Sequence, residues 1–279
     1  MLNGDCGKQE LGRTFLKRIK GHFANEVAVV TPNGEYLSSS LTAGLQKWKE
    51  LPAEQRKKLE PMGAHDPDLE AAPPPGGLIL QVFSRALARV GGELVPYKTK
   101  VSRSWEPGRD FVWLTESEWR SLIPATPQPG AAQVVAAPIQ DRLIRRYLID
   151  LVRVGGNGGP RRPEQVLARE LTVTVEQVSP TMIRLRLKGS ARLSNGEGPI
   201  KEQPRIDAFQ LTGRVEYDVT RKTINRFELL AFSQTGHFDE INNEVHPLGI
   251  LFERLEGNTP AERSPPSSWG KDYFQAAVR

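Results

Sequence analysis

The sequence predicts an α+β protein: a short N-terminal α/β segment, then a larger antiparallel β-meander closed as a barrel or folded as a sandwich. Three observations predict it. Before residue 60, apolar residues recur at helical spacing, as in Leu11, Phe15 and Ile19 and again in Leu41, Leu45 and Trp48. From Leu171 onward, apolar and polar residues alternate over successive runs separated by short polar turns. Between the two regions lies "PMGAHDPDLEAAPPPGG", with three consecutive prolines that remove backbone donors and block both helix and central-strand pairing. The predicted organisation is therefore residues 1–60, a Pro/Gly-rich linker over 61–77, a β-rich domain over 78–257 and a C-terminal tail over 258–279.

In chain order, residues 8–20 form the first predicted helix. Asp5 is placed to cap it, basic Lys17, Arg18 and Lys20 suit its C-terminal end, and Gly21 stops it. Residues 27–30 read as a short strand. "TPNG" is a turn, because Pro32 presets φ and Asn-Gly accepts positive φ. Residues 35–38 pair back as a second strand. A helix over 41–51 follows, then a short one over 52–60. Beyond the linker, "GLILQVFSRAL" is β-rich. "DFVWLTESEWRSLIP" is a strand followed by a short helix opened by the capping box Thr115 to Glu118. Residues 124–138 read as a loop. "DRLIRRYLIDLVRV" is ambiguous: its basic pairs fit an exposed helix face, but the strands around it favour a long edge strand.

"LTVTVEQVSPTMIRLRLKGSARL" then puts Leu171, Val173 and Val175 on one face. It turns at Ser179-Pro180 and puts Ile183, Leu185 and Leu187 on one face, with Arg184, Arg186 and Lys188 on the other. "FQLTGRVEYDVTRKTINRFELLAF" repeats the plan, and "HPLGILFERLEG" supplies the last strand. The tail is Pro/Ser-rich and expected to be loose until residues 269–274.

Composition narrows the function classes. The net charge of +5 is a mild excess with acids and bases well mixed. It lacks the dense basic stripe of a dedicated nucleic-acid binder, so no nucleic-acid partner is expected. No run of apolar residues approaches a membrane span. The opening residues do not read as a signal peptide, so the expected compartment is the cytoplasm, or outside it if a leader has been removed. The single cysteine, Cys6, excludes an internal disulfide framework and Cys-rich zinc sites.

Cys6 sits where the first helix begins. Unpaired N–H groups and the positive end of the dipole stabilise a thiolate there. "GDCGKQELGRTFLKRI", followed by "NEVAVVTPNGEYLSS" and a helix, resembles parts of a thioredoxin-like fold over about 50 residues: active-site turn and helix, hairpin, closing helix. Gln9 stands where that family has its second cysteine. "RVEYDVTRKTINRFELLAF" and "HPLGILFERLEG" are similar to the β-rich C-terminal half of uncharacterised bacterial proteins that begin with such a segment. What these resemblances imply is an architecture, with Cys6 as the candidate catalytic residue.

Other clusters carry less. "GHFDEINNEVH" gathers His237, Asp239, Glu240, Glu244 and His246, types that ligate divalent metals, but the spacing is no known motif, and a solvated loop between strands is expected. "GGNGGP" lacks the lysine and helix of a phosphate loop. Trp105, Trp113 and Trp119 read as core anchors. The expected function is a non-catalytic module binding an unidentified ligand or protein partner, with no cofactor and no metal. The alternative is a monothiol redox protein using Cys6. Gln9 favours the first, because a thiol without a resolving partner cannot run dithiol exchange within the chain.

Overall fold

A computed structural model of the chain describes residues 29–31, 35–38, 40–56, 72–98, 108–152, 160–194, 205–239, 242–259, 262–268 and 273–274. The chain divides into two units, Met1–Glu70 and Ala71–Arg279.

In the first unit, β1 (Val29–Val30) and β2 (Tyr36–Ser38) form an antiparallel hairpin. Thr31 closes it: its N–H donates to Glu35 O at 2.8 Å, and its hydroxyl accepts from Glu35 N at 3.0 Å. Ser40 then caps α1 (Leu41–Glu50) by accepting from the Ala43 N–H, as the short polar N-cap residues do. Gly44 faces Val29 so closely that a Cβ there would lie 2.4 Å from the valine side chain. Leu45, one of the residues whose spacing predicts this helix, is 49% exposed. A short α2 (Ala53–Arg56) follows. Cys6, Gln9 and the predicted first helix lie outside the described residues.

The second unit is mostly one antiparallel sheet. Its strands are β3 (Leu78–Val90), β4 (Glu93–Pro96), β5 (Gly108–Leu114), β6 (Ala132–Val134), β7 (Val166–Val178), β8 (Met182–Ser194), β9 (Ile206–Asp218), β10 (Thr223–Asp239) and β11 (Glu244–Leu255). The order is β4-β3-β11-β10-β9-β8-β7-β6, with β5 also pairing β3. From β6 to β11 every strand pairs its sequence neighbour, the meander that the alternation predicts. β11 then pairs the first strand of the unit, Leu248 opposite Ala86 through Leu255 opposite Ile79.

The barrel or sandwich expected from the sequence is not formed. The sheet stays open, with three-residue β6 at one edge and β4 and β5 sharing the other. A helical segment, not a second sheet, packs against its inner face. Over its described residues, 141–152, this segment corrects the edge-strand reading of 141–154. Residues 137–140 form α4, opened by Pro138 in its first turn, and the chain widens into a π-helical turn over 141–145. Ile139, Leu143, Ile144, Tyr147 and Leu148 are buried in one core with Leu171, Val173, Leu185, Phe209, Leu229, Ile250 and Phe252. The arginines that argued for an exposed face are buried with partners. Arg142 donates to Trp113 O and pairs Glu118 at 2.7 Å. Arg145 pairs Asp141 at 2.9 Å, and Arg146 donates to Ser268 O. The capping box at α3 (Glu116–Arg120) is present in both halves, Thr115 with Glu118.

Gly189 and Gly213 sit at inner-face positions of β8 and β9, where a Cβ would lie 2.1 and 2.3 Å from the carbonyl oxygens of Glu170 and Glu228 on the neighbouring strands. Strand glycines of this kind stand where the neighbouring backbone approaches too closely for a side chain.

The tail is anchored at Ser267, where it was expected to be loose, and again at Tyr273, beyond the stretch expected to be loose. Ser267 donates through its N–H and its hydroxyl to Asp110, and Tyr273 is 1% exposed. The Tyr273 hydroxyl accepts from the Trp113 N–H at 3.0 Å and shares a hydrogen bond with Tyr147 at 3.1 Å. Burial pushes the Tyr273 phenol up to about 12, and Tyr147 well above its ordinary value. A raised folded-state value means that this stability is complete below about pH 10 and lost as pH rises through the folded value. For Tyr273 alone the loss is about 2–3 kcal/mol, using about 1.4 kcal/mol for each pH unit of displacement. Denaturant titrations from about pH 8 to 12 should show stability falling between about pH 10 and 12, together with phenolate absorbance. Full phenolate titration with unchanged stability is the contrary result.

Candidate binding face

Each strand buries alternate residues against the helical segment and presents the others outward. Register aligns the outward residues into rungs. One rung reads Arg109, Phe83, Leu251, Leu230, Thr212, Lys188, Thr172 and Val134, from β5 across to β6. The next reads Arg85, Gly249, Phe232, Gln210, Ser190 and Glu170. Where apolar side chains meet on β3, β11 and β10, Gly249 leaves out a side chain. A trough of about 410 Å³ opens over it, lined by Phe83, Arg85, Leu87, Leu230 and Leu251. Leu230, 43% exposed, continues it into a second depression with Phe232, Thr212, Arg186 and Lys188. A Cβ on Gly249 would meet only Leu87, at an ordinary 3.6 Å, so the floor is open space and not a packing requirement.

Charge borders the trough. Arg85 lines it, and the Arg109 guanidinium lies 5.5 Å from the Phe83 ring centre. On the far side stand Arg186, Lys188 and Arg214. Several acids on this face already have cationic partners: Glu228 with Arg226 at 2.8 Å, Glu216 with Arg184 at 3.2 Å and Glu176 with Arg186 at 3.6 Å. Lys188 and Arg214 form no ion pair with a described residue. Arg184, Arg186 and Lys188 thus occupy the outer strand face that the sequence assigns them.

The histidine cluster is also brought together, though not as a solvated loop. The turn between β10 and β11 sets His237 opposite His246 and Asp239 opposite Glu244. Two residues distant in sequence join them. Asp150, after the helical segment, lies 2.6 Å from His237 Nδ1, with both side chains buried. Tyr97, after β4, donates to Asp239 at 2.7 Å and stacks on His246 with ring centres 3.8 Å apart. Burial, then the Asp239 carboxylate, pushes the Tyr97 phenol up to about 12. Burial, then His237, holds His246 below the usual imidazole range. Beside this knot, Arg205 grips Asp207 through Nε at 2.8 Å, and Arg161 reaches the same carboxylate at 3.5 Å. Among the described residues no group of three or more His, Cys, Asp or Glu is placed to hold a metal ion. Glu240 lies outside the described residues. The acid–base groups of this cluster are engaged with one another, and its chemistry is that of a polar clasp between β10, β11 and the chain after the helix.

Trp113 and Trp119 are buried, and the Trp119 indole donates to Gly76 O at 2.9 Å. Trp105 and the glycine run at 155–159 lie outside the described residues. Among the described residues no helix is long and apolar enough to cross a membrane. No family model, curated protein or solved structure matches the chain.

Proposed function

We propose that the chain is a non-catalytic binding module whose outer sheet face takes a ligand or partner. The carrying observation is the trough over Gly249: apolar side chains on three adjacent strands, facing outward, around a position with no side chain. Outward positions of a sheet with one covered face are ordinarily polar. Here Phe83, Leu87, Leu230, Phe232 and Leu251 depart from that pattern at one place, and contiguous outward apolar patches mark interaction sites. The His237–Asp150 pair is buried, whereas Leu230 on this face is open to solvent.

The test is a filling variant. Gly249→Leu meets no backbone and places an isobutyl group in the trough. Titrated with the neutral fluorophore N-phenyl-1-naphthylamine, the wild type should bind, and Gly249→Leu should bind at least about tenfold more weakly, about 1.4 kcal/mol, with its unfolding midpoint unchanged or raised. Equal binding by the two proteins removes the trough from the reading.

A further inference from the structure

Resting on that reading of the outer face, we infer that its partner is an acidic amphipathic helix, seated along the trough with carboxylates on both flanks. Strands in a sheet lie about 4.8 Å apart, so the apolar zone from β3 to β10 is about 10 Å wide, and the run from Phe83 to Leu87 is about 13 Å long. An α-helix with its side chains is about 10–12 Å across. Its apolar stripe therefore covers Phe83, Leu87, Leu230 and Leu251, with one projecting side chain over Gly249.

The borders select the charge. The backbones of Arg109 on β5 and Arg214 on β9 are four strand spacings apart, about 19 Å, with β11 midway between them. A helix centred between them leaves about 4 Å on each side, which side chains on the helix and the sheet bridge together. On one flank stands Arg109, on the other Arg214 and Lys188; of the nearby carboxylates, Glu228 and Glu216 are tied to Arg226 and Arg184, and Glu253 on β11 lies next to Leu251 in the outward row. An acidic helix meets cations on both sides, and a basic helix meets like charge on both sides. A second copy of the chain presents the same cations and is disfavoured on the same ground.

The probe is a pair of synthetic peptides of about 18 residues, five helical turns. Both carry leucine at i, i+3, i+4 and i+7; one flanks the stripe with glutamate, the other with lysine. The glutamate peptide should bind at least about tenfold more tightly than the lysine peptide, gain helical circular dichroism on binding, and weaken as salt rises. Gly249→Leu should abolish binding, and Arg214→Glu should weaken it about tenfold while leaving N-phenyl-1-naphthylamine bound. Equal affinity for the two peptides, or binding that Gly249→Leu leaves intact, overturns the inference. If the neutral fluorophore binds at Gly249 and the glutamate peptide does not, the face stands and the helix falls; if neither binds, both fall. Sedimentation with phosphatidylglycerol vesicles, or concentration-dependent dimerisation, lost in Gly249→Leu and accompanied by no preference for the glutamate peptide, would replace the helix with a lipid surface or a second copy.

Discussion

Asp207→Ala is expected to destabilise the second unit by about 3–5 kcal/mol, the usual loss when one partner of a buried ion pair is removed. Asp207 is 1% exposed and is the carboxylate held by Arg205 and approached by Arg161. Removing it strands the Arg205 guanidinium between the Gly236 carbonyl, at 3.3 Å, and the Phe238 ring, at 5.6 Å. Domains of this kind are stable by about 5–15 kcal/mol, so the variant approaches the folding threshold. Burial raises the Asp207 carboxyl, against the pull of Arg205, so desolvation outweighs the attraction in the pair. The double replacement Arg205→Met with Asp207→Leu should therefore be much milder than Asp207→Ala alone. Urea titrations of the variants decide it; a loss below about 1 kcal/mol in Asp207→Ala would falsify the claim that the pair is buried and interdependent.

Tyr273→Ala should cost a similar amount, about 3–5 kcal/mol, by emptying a ring-sized space in the core. The ring also stacks on Arg142, whose guanidinium carbon lies 4.8 Å from its centre. Tyr273→Phe isolates the hydroxyl. It leaves the Trp113 N–H without its acceptor and Tyr147 without one neighbour, at about 1–2 kcal/mol. The order Ala, then Phe, then wild type in unfolding midpoint is the expected result. A Tyr273→Ala protein as stable as wild type would mean that the tail is a passenger.

The meander was legible because its signal is local. Leu171, Val173 and Val175, then Ile183, Leu185 and Leu187, declare one buried face within a few residues, and Ser179-Pro180 marks the turn between them. The helical segment was not legible. Arg142, Arg145 and Arg146 read as solvent-facing, and the groups that permit their burial, Glu118, the Trp113 carbonyl and Ser268, lie far along the chain. Open or closed sheet could not be read either, since alternation reports a buried face and not what covers it.

The histidine pair had a usable signal. His237 lies five residues before Asn242 and His246 four residues after it, nearly equal arms, as cross-strand partners in a hairpin must have. Their companions Asp150 and Tyr97 had none. The binding face divides the same way. The cationic row on β8 was visible in the alternation. The trough required β3 to meet β11, which sequence spacing does not announce, and Gly249 within an otherwise continuous strand was its one local mark.

That pairing of β3 with β11 bears on how the molecule comes to exist. During synthesis, β3, β4 and β5 leave the ribosome well before β11, which flanks β3 on its other side and is the last strand of the sheet. The segment β7 to β11 can zip sequentially through short turns, whereas β3 waits with an apolar edge that attracts other chains. Joining Ile79 to Leu255 closes a long loop, the slow kind of contact in folding. Tyr273 comes later still, so a nascent chain that has not yet emerged past residue 273 lacks both the seam and its latch.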